Sequence, residues 1–163
     1  MSKFKCIRKN LFWQVYNGRM ENAAFKFYIP VEIRYSDLDP QWHVNNTRYL
    51  VFMEQARLEY LCQLGLFDGK SFLDLKMIIA DAHVSFLAPI ELGQNVRVGT
   101  RAARIGNKSI TFEYRIEDAD SGDLLATGEV VGVAYNYRAH QTIPVPVDWR
   151  QKIGAFEGVD FSA

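Results

Sequence analysis

Apolar and polar residues alternate along one part of the chain and then change period. Every second residue is apolar in the first run, which predicts a strand buried on one face. These apolar residues are Phe27, Ile29, Val31, Ile33 and Tyr35. Farther on, apolar residues recur every three or four positions, which predicts a helix of about 18 residues that Gly65 terminates. Its apolar residues are Tyr49, Leu50, Met53, Ala56, Tyr60, Leu61 and Leu64.

The second half of the chain is rich in strands. Residues 77–87, 95–105, 109–117 and 124–137 predict four of them, and the short turns between the last three predict an antiparallel meander. Residues 66–76 are interpreted as a loop or a short helical turn. Small residues along the last strand predict a close approach of another backbone. The fold class that follows is α+β, with a curved antiparallel sheet of about five strands around one long helix.

Length and composition narrow the class of protein. A chain of 163 residues predicts one domain, at residues 25–147, between an N-terminal extension (residues 1–24) and a tail (residues 148–163) that includes a short helix. Acidic and basic residues number 19 each, so no nucleic-acid partner is expected. Cys6 and Cys62 form neither a disulfide framework nor a zinc pattern, which favours a cytoplasmic setting. No apolar run approaches the roughly 20 residues of a membrane span, so no membrane partner is expected.

Polar side chains concentrate at the predicted junction of the first strand and the long helix. Asn45 and Asn46 are favourable caps for the start of that helix. Asp39 and His43 therefore lie in a short connection that ends at a helix N-terminus. Backbone N–H groups are unpaired there and the local potential is positive, so a developing oxyanion would be stabilised. Each of these residues alone is also typical of turns and caps, and it is their combination that indicates a site.

The same segment resembles the motif of hotdog-fold acyl thioesterases, in the 4-hydroxybenzoyl-CoA thioesterase-like branch, and is similar to that of the plant acyl-ACP thioesterases. The residues that match the pattern R-x-x-D-x-D-x-x-x-H-V-N-N-x-x-Y are Arg34, Asp37, Asp39, His43, Val44, Asn45, Asn46 and Tyr49. Residues 52–57 on the helix and residues 86–90 at the end of a strand also look like this branch. The resemblance covers residues 25–147 and implies the hotdog fold, in which a curved sheet wraps around a long helix.

The resemblance also implies roles for individual residues. Asp39 matches the catalytic carboxylate, acting as a nucleophile or a general base, and the backbone N–H near Asn46 polarises the thioester carbonyl. His43 matches a catalytic histidine of the plant enzymes, and Gln41 stands where those enzymes carry an asparagine. The candidate substrate-binding residues are Gln41, Asn45, Tyr49 and Lys108. No metal ion and no cofactor are expected.

The implied function is hydrolysis of an acyl-CoA thioester to a free acid and CoA. Hotdog active sites form across subunit interfaces, so the resemblance also implies a homodimer or a homotetramer. Three alternatives stay open: an acyl-ACP thioesterase, a hotdog acyl-CoA hydratase or dehydratase, and a non-catalytic acyl-thioester-binding protein. The hydratase signature D-x-N-P-x-H does not fit the residues from Asp39 to His43, and the intact Asp39 argues against a protein that only binds.

Overall fold

A computed structural model describes residues 25–161, and within them the protein is an α+β domain. One antiparallel sheet of six strands carries a long helix on one face, and a shorter helix follows near the C-terminus. The strands are β1 (Phe27–Val31), β2 (Met77–Phe86), β3 (Val96–Ile105), β4 (Ser109–Asp118), β5 (Leu124–Asn136) and β6 (Gln141–Thr142). The helices are α1 (Asn46–Gln63) and α2 (Val147–Glu157), with short 3-10 helices at Tyr35–Asp37 and Phe72–Asp74. The predicted extension, residues 1–24, lies outside the described residues.

The order of the strands places β2 at an edge of the sheet. The order is β1-β3-β4-β5-β2, and β6 pairs with β5. Every pair is antiparallel, so the predicted meander of β3, β4 and β5 is confirmed. Within the described part of the chain, β2 pairs with β5 alone, and its other edge has no partner strand. The sheet has one strand more than predicted, because the two residues of β6 are too few to form a pattern.

Helix α1 packs one side against the inner face of the sheet. The buried residues of this side are Tyr49, Phe52, Met53, Ala56, Arg57, Tyr60 and Leu61. Opposite them the sheet presents Phe112, Tyr114 and Ile116, which are fully buried. Leu50 was predicted to join the buried side, and this prediction is wrong because Leu50 is 43% exposed. It lies at the margin of that side, one residue round the helix from Tyr49, where no described element covers it.

Two glycines of β5 make room for methionine side chains. A Cβ atom at Gly128 would lie 2.5 Å from Met53 Cε, and one at Gly132 would lie 2.5 Å from Met77 Sδ. The small residues predicted the approach of another backbone, but the nearest atoms at both positions belong to side chains. Methionine is long and unbranched, so it fills the space that a missing side chain leaves. Met53 thereby anchors α1 on β5.

The first strand is shorter than the alternation predicts. β1 ends at Val31, and Tyr35 begins a short 3-10 helix in which it is 72% exposed instead of buried. Asp37 Oδ2 accepts a 2.9 Å hydrogen bond from the backbone N–H of Arg34, which turns the chain. A side chain that bonds to a nearby backbone group competes with strand pairing, and apolar alternation does not register this competition. Tyr35 therefore lies at the surface beside the loop that follows.

The tail contains helix α2, which is tied to α1 through Tyr60. The Tyr60 hydroxyl donates a 2.6 Å hydrogen bond to Glu157 Oε1, which also accepts the backbone N–H of Ala102 at 3.1 Å. Burial, reinforced by this bond to Glu157, raises the pKa of Tyr60, so its hydroxyl keeps the proton that it donates. The two helices and β3 therefore share one partly buried polar contact.

Candidate active site

The loop that leads into α1 is a tight hairpin built around Asp39. Leu38 and Val44 form an isolated bridge across its base. Inside this bridge the backbone N–H of Asp39 donates to the His43 carbonyl oxygen at 2.8 Å. Asp39 Oδ1 accepts the backbone N–H groups of Gln41 at 2.8 Å and of His43 at 3.4 Å. The carboxylate is thus held by the hairpin, while its Oδ2 atom makes no hydrogen bond to any described residue.

Asp37, the other carboxylate of this loop, has a different environment. Its side chain is 9% exposed, and its two oxygens bind the Arg34 backbone N–H and the Arg48 guanidinium, each at 2.9 Å. Its carbonyl oxygen accepts the backbone N–H of Asn45 at 2.8 Å, just before α1 begins. A buried carboxylate with both oxygens occupied is a structural clamp. Asp37 therefore fixes the connection between strand and helix, and with it the position of Asp39.

Helix α1 begins beside Asp39 with a free backbone donor. Asn45 is its N-cap: Asn45 Oδ1 accepts the backbone N–H of Thr47 at 3.0 Å and the Thr47 hydroxyl at 2.8 Å. The backbone N–H of Asn46 has no acceptor among residues 25–161. A free N–H in the first turn, in the positive field of the helix terminus, is suited to an anionic oxygen.

A cavity of about 520 Å³ joins Asp39 to the first turn of α1. Its lining residues are Asp39, Val44, Asn46, Tyr49, Phe86, Leu87, Ala88 and Pro89. The cavity therefore brings together Asp39, Asn46 and Tyr49, three residues that were selected from the sequence. Its opposite wall is the end of β2 and the residues that follow. Phe86 from this wall meets Tyr49 edge to face, with 4.9 Å between the ring centroids.

Tyr49 contributes a protonated hydroxyl to the cavity. Burial raises the pKa of its phenol, a hydrogen bond with the backbone of Ile90 acts in the opposite direction, and the charge of Asp39 raises it further. The phenol therefore carries its proton at neutral pH and can donate a hydrogen bond. The Asp39 carboxylate therefore adds a smaller contribution to the raised pKa of the phenol than burial does.

The remaining predicted residues lie beside the cavity or far from it. His43 is half-buried, its backbone contacts Asp39, and its imidazole has no hydrogen-bond partner in the described range. Gln41 is exposed and reaches Asp39 only through its backbone N–H. Lys108 lies in the β3–β4 turn, where its Nζ bonds to the Thr142 hydroxyl at 3.0 Å. The ten residues of β3, about 30 Å of extended chain, separate Lys108 from the Asp39 end of the same protomer.

Sequence reasoning did not assign the wall formed by residues 86–89 to the site. Residues 86–90 resemble the same family, and this resemblance could have pointed to them. It supported membership of the family but assigned these residues no role. The structure supplies the link, because the backbone N–H of Val44 donates to the Ile90 carbonyl oxygen at 2.8 Å. This bond draws the end of β2 against the hairpin and completes the cavity.

Several known proteins with similar sequences or structures are named thioesterases. A family model described as the thioesterase-like superfamily matches residues 33–153. The chain is 21% identical to the long-chain acyl-CoA thioesterase FadM of Escherichia coli over 123 residues, 76% of this chain and 93% of FadM. It is 30% identical to the acyl-CoA thioesterase YbgC of Haemophilus influenzae over 93 residues, 55% of this chain and 68% of YbgC. A thioesterase from Thermus thermophilus, crystallised with coenzyme A and Zn, is 34% identical with a TM-score of 0.73, covering 82% of this chain and 96% of that one.

These matches include the elements that build the cavity. The family match begins before Asp37 and ends in α2. It therefore contains Asp39, Asn46 and the wall at residues 86–89. The curved antiparallel sheet with its long helix is the fold of the thioesterases with similar structures. The hotdog fold and the family predicted from the sequence are both confirmed. The chain therefore belongs to the thioesterase-like superfamily.

Proposed function

We propose that this protein hydrolyses acyl-CoA thioesters to a free acid and CoA, with Asp39 as the acting carboxylate. The observation that carries the proposal is one cavity that contains both the Asp39 carboxylate and the first turn of α1 at Asn46. The carboxylate can attack or can deprotonate water, and the N–H of Asn46 is a donor for the oxyanion that results. A thioester is more reactive than an oxygen ester, so one carboxylate and one donor are sufficient machinery.

Asp39 Oδ2, to which no described residue bonds, supports two routes. As a nucleophile it attacks the thioester carbon, CoA leaves as the thiolate, and water cleaves the anhydride to restore the carboxylate. As a general base it takes a proton from water while the water oxygen attacks the same carbon and CoA leaves. In both routes the Asn46 N–H stabilises the developing oxyanion, and loss of such a donor typically costs about 2.7–4 kcal/mol. Tyr49 adds a second protonated donor on the same side of the cavity.

Similar proteins favour CoA over an acyl carrier protein as the thiol half of the substrate. FadM and YbgC are named acyl-CoA thioesterases, and the Thermus thioesterase was crystallised with coenzyme A. No helix within residues 25–161 is long and apolar enough to cross a membrane. We place the reaction in the cytoplasm, as the cysteine pattern predicts.

We also propose that the enzyme acts as a dimer, with a second copy on the β2 side. Exposed apolar side chains occur at both ends of β2, just after it, and in the first two turns of α1. They are Leu50, Val51, Ile78, Ile79, Phe86 and Leu87. An edge strand flanked by exposed apolar side chains is typical of an interface. Phe86 and Leu87 also line the cavity, so a copy seated there would cover its open side.

The test is thiol release from a panel of acyl-CoAs, aromatic through long-chain, by the wild type and Asp39→Asn. We expect turnover of the variant to fall by about 10²–10⁴-fold, because an amide neither attacks the carbon nor takes a proton. The unfolding midpoint should stay near that of the wild type, since the amide keeps the shape of the side chain and an oxygen acceptor. The matched control is Glu59→Gln, which removes an exposed carboxylate near the other end of α1 and should keep normal turnover.

Near-normal turnover by folded Asp39→Asn would rule out the assigned carboxylate. A wild type that releases no thiol from any acyl-CoA but hydrolyses an acyl carrier protein thioester would correct the thiol half of the substrate. A wild type inactive on both would leave a binding protein. The acyl preference found in the panel would report the depth of the pocket.

A further inference from the structure

Two exposed aromatic rings lie at the Asp39 hairpin, one from Trp42 at its tip and one from Tyr35 just before it. Trp42 is 64% exposed and Tyr35 is 72% exposed, although large aromatic side chains usually bury most of their area. The rings contact each other edge to face, with 6.2 Å between centroids and 62° between planes. We refer to Trp42 and Tyr35 as the aromatic pair. It is a preformed apolar surface that no described element covers.

The backbone at Trp42 is in a conformation that a tryptophan rarely adopts. Its φ angle is 65°, in the left-handed region that favours glycine. The loop itself does not require the indole, because the backbone N–H of Trp42 makes the local hydrogen bond to the Asp39 carbonyl oxygen at 3.0 Å. A glycine would keep that bond without strain. A bulky residue held in a disfavoured conformation at the edge of an active site indicates a functional role for its side chain.

The surroundings of the aromatic pair indicate what it binds. Trp42 lies three residues beyond Asp39 in the same hairpin, and its backbone N–H is bonded to the carbonyl oxygen of Asp39, a residue that lines the cavity. Arg34 lies next to Tyr35, and its side chain is 71% exposed with a long contact of 3.8 Å to Glu32. Exposed aromatic rings beside an available guanidinium suit a planar base that carries phosphates, because bases stack on aromatic faces and guanidinium groups pair with phosphate.

We propose that the aromatic pair is the stacking surface for the adenine base of the CoA half of the substrate, with Arg34 available to its phosphates. The inference rests on the proposed thioesterase function and assigns residues that the cavity itself does not include. Because the surface is preformed, the protein loses little conformational entropy when it binds the long, flexible CoA arm. A substrate carried on an acyl carrier protein has no adenine and would gain nothing from this surface.

The first experiment compares one acyl group on two thiols, CoA and N-acetylcysteamine, which lacks the nucleotide. The readout is the ratio of kcat/KM for the CoA thioester to kcat/KM for the truncated thioester. We expect this ratio to fall about 5- to 100-fold in Trp42→Gly, which is the effect of losing one base stack, mainly through a higher KM for the CoA thioester. Trp42→Phe keeps a ring and should restore most of the ratio. Leu73→Ala, at an exposed apolar residue away from the hairpin, is the control and should leave the ratio unchanged.

The unfolding midpoint of Trp42→Gly should equal or exceed that of the wild type, because glycine relieves the positive φ angle. A fall in the ratio then cannot come from a damaged fold. An unchanged ratio in Trp42→Gly would overturn the stacking role. Equal losses of kcat/KM on the CoA thioester and on the truncated thioester would overturn the stacking role too, since they would show that the indole acts through Asp39 instead.

A calorimetric titration separates failure of this proposal from failure of the thioesterase function. Adenosine 3′,5′-bisphosphate is titrated into the wild type, Trp42→Gly and Asp39→Asn. We expect binding to the wild type and to Asp39→Asn, and weaker binding to Trp42→Gly. If the wild type hydrolyses no thioester yet binds the nucleotide through Trp42, the stacking surface stands without the chemistry. If the wild type hydrolyses acyl-CoA but does not bind the nucleotide, the stacking surface is refuted and the chemistry stands.

Discussion

Two aspartates that are separated by a single residue differ in what surrounds their carboxylates. Asp37 is 6% exposed, and both of its oxygens are bonded, one of them to the Arg48 guanidinium. Asp39 lines the cavity, and one of its oxygens is held by backbone N–H groups while the other has no hydrogen-bond partner among residues 25–161. A carboxylate that is fully paired is costly to disturb and unavailable for reaction, whereas a half-paired one is positioned and still reactive. The same side chain therefore holds the loop at one position and is proposed to act at the other.

This difference predicts opposite effects of the same substitution. Asp37→Asn should lower the free energy of unfolding by about 1–3 kcal/mol, because Arg48 loses its charged partner in a mostly buried contact. Urea denaturation measures this change, and Asp120→Asn at an exposed turn is the control, with an expected change within about 0.5 kcal/mol. Full stability of Asp37→Asn together with lost turnover would contradict the division of tasks, since Asp37 would then act in the chemistry.

At the scale of elements, the packing of α1 on the sheet depends on a glycine of β5 that has no side chain. Met53 is fully buried and occupies the space above Gly128, where a Cβ atom would meet its terminal methyl carbon at 2.5 Å. Gly132 gives the same room to Met77, which belongs to β2. Gly128 therefore makes room for Met53 of α1, and Gly132 makes room for Met77 of β2. This packing helps to set the position of α1 on β5, whereas β2 is held to β5 by its backbone ladder as well.

A double-mutant cycle tests this packing. Gly128→Ala should cost about 1–3 kcal/mol of stability, because the added methyl group overpacks the site. Met53→Ala should cost about 2–5 kcal/mol, because it leaves a cavity in the core. The double variant should lose clearly less than the sum of the two, since the new methyl group occupies part of the vacated space. Gly128→Ala combined with Met77→Ala is the control and should be closer to additive. Additivity in the Met53 cycle would show that the two residues do not compete for one space.

At the scale of the whole molecule, the open edge of β2 connects the fold to the proposed assembly. The exposed apolar residues Ile79 and Phe86 lie on β2, which has no second partner strand among the described residues. An edge of this kind exposes unpaired backbone groups as well as apolar area. A second copy on this side would satisfy both and would enclose the cavity that Asp39 lines.

We expect sedimentation at micromolar concentration to show at least a dimer, and Ile79→Lys to shift it toward the monomer. The lysine places a charge where the proposed interface is apolar, and a charge buried without a partner is unfavourable. Turnover should fall together with the dimer fraction, because the cavity loses its cover. Val147→Lys is the matched control, since it changes an apolar residue that is 68% exposed on α2, away from β2. A monomer that keeps full turnover would contradict a site that depends on the second copy.

Much of the fold was predictable because the signals are local. The period of the apolar residues located α1 and the four long strands, Asn45 capped the helix as expected, and Gly65 follows its end with a φ angle of 61°. The boundary of β1 was not predictable, because the turn at Tyr35 depends on a hydrogen bond between Asp37 and the Arg34 backbone. Local capping competes with strand pairing, and the periodicity of apolar residues carries no information about that competition.

Consecutive residues were enough to predict the fold class, the family and the loop that carries Asp39, because periodicity and a motif are local features of the chain. The tertiary structure was needed to show which carboxylate faces a cavity, because the wall opposite Asp39 comes from a distant part of the chain, whereas both oxygens of Asp37 are occupied by Arg34 and Arg48. It also brought residues 86–89 against the hairpin and left Trp42 exposed in a left-handed conformation. Contacts between distant residues set burial and pairing, and these set the chemistry of a side chain.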